Sequence, residues 1–320
     1  MSERRYHVIL NAHSGAAHSA GVNGAALADL FAANNLATTI DDDVDSPLEE
    51  RVRKAIASGA EVVVAAGGDG TVTAIASAVV DSGQALAILP LGTVNALARD
   101  LGVPLDLAQA VQGLATMEPR QIDVGEVNGE VFLHKVVIGF IPGVAAAREQ
   151  IRGRDEVGAK IGFLRYFHRR LTRARRMAVE IDYGDGRKHI DRVWAVAVAS
   201  NAYDEGPGRF FVRGRLDQGD LTLYLLKRLS TADLVRLTAE MLLGNWHQDN
   251  ALQIESLKAV TVRTKKTHLK AMVDGEVKTL EGPFVFRIRP LALTILTPVS
   301  PDQVDPDAPH GVAVTATEGS

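Results

Sequence analysis

The chain has 320 residues, of which 46% are hydrophobic and 23% charged, with a formal net charge of −4. That length exceeds what one core usually fills, so two domains are expected, and the near-neutral balance argues against nucleic acid as a partner of the whole surface. Cysteine is absent, which excludes disulfides, thiol nucleophiles and cysteine-based zinc sites and suits a reducing cytoplasm.

Arg4 and Arg5 precede an apolar run that ends at Asn11, too short for the core of a signal peptide. No apolar run reaches the roughly 18 residues that a spanning helix needs. Any membrane contact is therefore expected to be peripheral, from the cytoplasmic side. From Tyr6 to about Asp123, short apolar runs at 8–10, 61–66 and 86–89 alternate with helix-like stretches at 24–34, 47–58 and 72–82. This alternation predicts an open, doubly wound, largely parallel α/β sheet. After Asp123 the pattern changes to strand-like runs at 124–138, 178–183, 193–200, 221–226, 259–263, 269–273 and 284–288. Several alternate with period two between Gly and Asp turns, which predicts a mainly antiparallel β-sandwich. Helices are expected at 159–176 and 231–243. The expected division is an α/β domain over 1–124, completed by 290–299, a β domain over 125–289, and a disordered tail over 300–320 rich in Pro, Asp, Ala and Thr.

Three expected strand ends carry small or hydroxyl residues. Gly67-Gly68-Asp69-Gly70-Thr71 stands between a strand and a helix, where glycines admit an anion close to the backbone and the helix N-terminus offers unpaired N–H groups. Asp69 would act there through a bound magnesium ion, since a bare carboxylate repels a polyphosphate. Leu89-Pro90-Leu91-Gly92-Thr93-Val94-Asn95 follows the next strand, and Asn11-Ala12-His13-Ser14-Gly15 follows the first. Strand ends of an open α/β sheet line its ligand crevice, so all three loops are placed to converge on one nucleotide. The Walker A string and the protein-kinase motifs are absent, so backbone amides, magnesium and scattered basic residues must meet the phosphate charge. The sequence does not single out which basic side chain does so.

Together with Asp123-Val124-Gly125, the run from Arg215 to Leu221 and Asp274-Gly275-Glu276, these strings resemble the diacylglycerol kinase catalytic-domain family, which includes bacterial lipid kinases, sphingosine kinases and ceramide kinases. The resemblance extends from about residue 5 to 297. It implies an ATP-dependent lipid kinase with a nucleotide domain, a β-sandwich carrying the lipid site, and chemistry in the cleft between them. It also implies Asp274 as general base, with Glu276 as a secondary candidate. Asn11, Ser14, Gly15, Gly67, Gly68, Asp69, Gly70, Thr71, Gly92, Thr93 and Asn95 would hold ATP. Asp69 and Asp123 would lie near the catalytic magnesium. Two positions depart from the family pattern. Ala96 stands where some bacterial members have an Asp of the magnesium network, and Gln218 stands at the metal-binding position of the turn between Arg215 and Asp220. A neutral amide is a poor ligand for a hard dication, so no structural metal is expected at Arg215, Gln218 and Asp220.

Read without the resemblance, Asp-Gly-Glu is a hairpin turn in preference to a catalytic site, and the resemblance reverses that order. Residues 152–176 hold nine Lys or Arg against Asp155 and Glu156, interleaved with Ile161, Phe163, Leu164, Tyr166, Phe167 and Leu171. Such a segment suits an anionic membrane surface, and equally a solvated helix face. Two other readings remain: a NAD kinase-like enzyme, which would share residues 67–71, and a nucleotide-binding regulatory protein without catalysis. The sequence leaves a homodimer and the identity of the lipid open.

Overall fold

The computed structural model describes residues 4–11, 22–139, 176–206, 211–228 and 230–299. Expectations for Ser14 and Gly15, for the basic segment short of Arg176, and for the tail fall outside these residues.

The N-terminal strands are the apolar runs of the sequence. β1 (Tyr6–Leu10), β2 (Thr38–Asp41), β3 (Val62–Gly67) and β4 (Ala85–Pro90) pair in parallel in the order β2-β1-β3-β4. β1 and β3 are buried along their whole length, because helices cover both faces of a parallel sheet. α1 (Gly24–Ala33), α2 (Leu48–Ala57) and α3 (Asp69–Val79) connect these strands. α1 is capped by Asn23, whose side chain accepts the Ala26 N–H, and α2 carries Glu49 and Glu50 in its first turn and Lys54 in its last, matching the helix dipole. Two further helices, α4 (Ala96–Asp100) and α5 (Leu107–Gly113), are too short to register as periodicity in the sequence.

The run expected as one strand over 124–138 is instead three: β5 (Glu118–Val127), β6 (Glu130–Phe132) and β7 (Lys135–Gly139). Asn128 and Gly129, both at positive φ, form the two-residue turn between β5 and β6. The remaining elements are β8 (Met177–Asp182), β9 (Lys188–Val193), β10 (Ala195–Ser200), β11 (Leu221–Leu226), α6 (Thr231–Leu243), β12 (Leu252–Leu257), β13 (Ala259–Thr264), β14 (His268–Val273), β15 (Glu276–Glu281) and β16 (Phe284–Thr297).

β16 joins the two halves of the molecule. Its second half lies parallel to β4 through Ile295 and Leu86, and its first half is antiparallel to β13. β5 runs antiparallel along both halves, with a register shift between Arg289 and Leu293. One sheet therefore continues from β2 through β4 and β16 to β9. The second sheet, β12-β11-β10-β7-β14-β15, is antiparallel and packs on the antiparallel end of the first. Between them lies a core of Val136, Ile138, Val196, Val198, Phe284 and Phe286 with their neighbours. The boundaries expected at 124 and 289 thus fall inside β5 and β16, so the lobes share strands. Among the described residues, no helix is long and apolar enough to cross a membrane.

Candidate active site

The β3–α3 and β4–α4 turns lie against each other. A Cβ on Gly92 would stand 2.6 Å from the Gly68 Cα, so only glycines allow this approach. Asp69 ties the turns together: its Oδ2 accepts the Asn95 N–H at 2.9 Å and its Oδ1 the Ala96 N–H at 2.6 Å. It is thus both the first residue of α3 and the cap of α4. Asn95 holds left-handed backbone (φ 51°), and its side chain closes the turn by accepting from Gly92 N and donating to Gly92 O. Asn11 donates to the buried Thr71 hydroxyl at 2.8 Å, which brings the end of β1 to the same loop. Gly67 packs on the Thr71 side chain, and Thr93 is exposed at the second loop.

Asp274 and Gly275 form the two-residue turn between β14 and β15, both at positive φ. The Asp274 carboxylate accepts four hydrogen bonds: Thr73 Oγ1 at 3.0 Å and Leu133 N at 2.7 Å on Oδ2, and His134 N and Lys135 N, each at 2.9 Å, on Oδ1. Thr73 comes from α3, so this carboxylate bridges the lobes. Glu276 lies across the first turn of α3, where a Cβ on Gly70 would collide with its carboxylate. It stands over the helix N-terminus, near positive dipole.

Asp69, Thr73, Lys135 and Asp274 line a cavity of about 280 Å³ between the lobes, with Val94 and Phe211 partly exposed around it. Burial, and secondarily the Asp274 charge, hold the Asp69 carboxyl above its ordinary range against the pull of the two amides. Burial pushes the His134 imidazole down to about 2 and, with the Arg213 guanidinium nearby, the Lys135 amine down to about 8. Beneath the cavity, Arg213 is 1% exposed and pairs with Asp100 at 2.7 Å while donating to Leu133 O and Ser200 O. Asp100 ends α4, so this pair is a second tie between the lobes. The His134 Nδ1 and the Tyr203 hydroxyl share a hydrogen bond at 2.8 Å.

Asp123 requires a correction. It is 2% exposed and does not line the cavity; its carboxylate accepts the Gly219 and Leu291 N–H groups. Those bonds fix the β16 bend against the 215–220 turn. In that turn, Arg215 pairs with Asp217, the Gln218 N–H is bound by Asn201, and the Lys258 ammonium bonds Gly219 O at 2.8 Å and Asp220 at 2.7 Å.

Magnesium fits Asp69 in one respect. Each of its oxygens holds one amide and keeps a lone pair, and this ion is commonly held by one or two carboxylates plus substrate phosphates. No cluster of three metal-ligating side chains occurs among the described residues. Asp123, buried and not among the residues lining the cavity, lies apart from Asp69.

Glycine-rich strand-end loops thus face a carboxylate-tipped turn of the β-sandwich across one cavity. A family model described as the diacylglycerol kinase catalytic domain matches residues 5–127, and one described as the YegS C-terminal NAD kinase beta sandwich-like domain matches residues 143–297. A probable lipid kinase YegS-like protein of Pseudomonas fluorescens is 31% identical over 253 residues, covering 77% of this chain and 81% of the relative. The chain therefore belongs to the diacylglycerol kinase catalytic-domain family. The match to a probable lipid kinase YegS-like protein of Pseudomonas syringae pv. syringae is 46% identical over 91 residues and spans only 30% of that relative's length. A diacylglycerol kinase of Bacillus subtilis is 27% identical over 70% of this chain and 74% of its own. The fold is that of a crystal structure of a putative diacylglycerol kinase from Bacillus anthracis, with a TM-score of 0.69, 23% identity, and coverage of 94% of this chain and 98% of the other.

Thr73, Lys135, His134, Asp100 and Arg213 carry no motif, and sequence reasoning missed them. A Lys opening an otherwise apolar strand, Lys135–Gly139, was the one available signal.

Proposed function

We propose that the protein transfers the γ-phosphoryl group of ATP to the hydroxyl of a lipid, diacylglycerol-like or sphingoid-like, reached from a membrane surface. The observation that carries this reading is the meeting of Asp69, from the glycine-rich turns, and Asp274, from the sandwich, in one cavity. Family membership and the partly apolar wall at Val94 and Phe211 favour a lipid acceptor.

Three backbone amides aim the Asp274 carboxylate, and its fourth donor is the Thr73 hydroxyl. A substrate hydroxyl would enter by taking the place of Thr73, so that its proton passes to Asp274 as the new O–P bond forms and the bond to the ADP oxygen breaks. The Gly67–Thr71 and Gly92–Asn95 turns would hold the nucleotide. Magnesium, when bound at Asp69, would neutralise phosphate charge.

Labelled ATP should be offered to a total lipid extract and, in parallel, to NAD. Label in a lipid, lost in Asp274→Asn, supports the proposal; label in NAD alone supports the NAD kinase-like reading. Tight ATP binding with no transfer to any acceptor would make the protein a nucleotide-binding regulator.

A further inference from the structure

We infer that Lys135 is the cation that holds the phosphoryl group while it passes from nucleotide to acceptor. The inference rests on the kinase reading above and adds to it a residue that no motif marks.

The backbone fixes its place. Lys135 N donates to Asp274 Oδ1 and Asp274 N donates to Lys135 O, each at 2.9 Å, so the first residue of β7 is clamped to the turn that carries the proposed base. Along β7, Val136 and Ile138 face the sandwich core, and Lys135 lies on the opposite side, in the cavity wall. Its ammonium stands 3.9 Å from the centre of the Phe211 ring and 5.2 Å from that of Tyr203. Ring faces hold a cation without neutralising it. Among the described residues, no carboxylate lies within ion-pair distance, so the charge remains available to an anion.

The cavity needs such a charge, because Asp69 and Asp274 both line it and both repel a phosphoryl group. Arg213 is held by Asp100 and two carbonyls, and Arg99, which also lines the cavity, is exposed on the glycine-turn lobe with its Nε on Val94 O, so Lys135 is the lining cation fixed to the Asp274 turn. Position selects the phosphoryl group over the inner phosphates of ATP: Lys135 is on the Asp274 side, while the glycine-rich turns belong to the other lobe. The lowered pKa of the amine agrees with a desolvated cation that gains from an arriving anion.

Lys135→Met and Lys135→Arg should be compared with the parent protein for turnover on the lipid acceptor and, by calorimetry, for the Kd values of ATP, of ADP and of ADP with aluminium fluoride. Lys135→Met is expected to lower kcat about a hundredfold, the usual effect of removing one group that binds transition-state charge, with the Kd of ATP changed by less than about threefold. Lys135→Arg should recover part of kcat, which also guards against a folding defect. A kcat within threefold of the parent overturns the inference, as does a weakened ATP Kd with kcat unchanged. If the parent transfers to no lipid, the kinase reading fails separately, and aluminium fluoride decides. Tightening of ADP binding that the Met variant loses supports Lys135 as the phosphoryl-site cation; tightening that persists, or none, overturns it.

Discussion

A carboxylate held by two amides and facing a second carboxylate is under opposed pressures, and Asp69 experiences both. Because its folded pKa is raised, the unfolded chain ionises first, and this group's contribution to stability falls as pH rises from 3.8 through the folded value. Asp69→Asn removes the buried charge and keeps one acceptor, so urea unfolding at pH 7 should show stability equal to or above the parent's. Asp69→Ala leaves two amides unpaired and should cost about 1–3 kcal/mol. Both should abolish most turnover. Retained turnover in Asp69→Asn would remove Asp69 from the chemistry. His134 works in the opposite sense: held neutral down to about 2 against an ordinary 6.5, it loses stability as pH falls below 6.5. Tyr203, Asp100, Arg213 and Lys135 surround it. Relative to His134→Gln, the parent should lose about 2 kcal/mol more between pH 7 and pH 5. Parallel unfolding curves would show that the imidazole takes up a proton in place. At this scale the sequence announces loops and hides their partners. Gly67–Thr71 and Asp274–Glu276 stand out as strings, whereas the role of Asp123 depends on Gly219 and Leu291, 96 and 168 residues away.

Elements built on apolar periodicity are legible in the sequence, and those built on partners are not. Helix 231–243 matches its expected bounds, and β1, β3, β4 and β11 lie within a residue or two of theirs. β2, β9, β12 and β15 are half-exposed strands whose pairing comes from neighbours, and they carry too little alternation to stand out. α4 is a different case. Only five residues long, it is held at its start by the Asp69 carboxylate and at its end by Arg213 on Asp100. Breaking a buried pair leaves an uncompensated charge, so Arg213→Met and Asp100→Leu should each cost about 3–5 kcal/mol. The double variant should cost less than the sum of the two, because neither charge is then left alone. A double-mutant cycle by urea denaturation tests this, and strict additivity would mean that the pair is not a unit. Because α4 follows the second glycine turn, both single variants should also weaken ATP binding, as titration calorimetry would show.

At the scale of the molecule, the cleft is stiffened by continuity. β16 and β5 run through both lobes, and Asp274–Thr73 and Asp100–Arg213 cross between them. The two-part organisation is legible from the change of pattern near Asp123; the shared strands are not, since a strand that bends reads as two. On the proposed reading a lipid hydroxyl reaches this cleft from a bilayer, and the nine Lys or Arg of residues 152–176 are proposed to supply the charge for the approach. Reversing Arg169, Arg170 and Arg173 to Glu should weaken binding to anionic vesicles and spare ATP binding, whose proposed turns belong to the N-terminal lobe. Each basic group near an anionic surface contributes about 1 kcal/mol, so three reversals should lower partitioning on the order of a hundredfold or more at low salt. The difference should shrink as added salt shortens the screening length. Turnover on detergent-dispersed lipid, which presents little surface charge, should survive better than turnover on vesicles. Equal vesicle binding by parent and variant at low ionic strength would leave these arginines a solvated face, with the lipid delivered by some other surface of the protein.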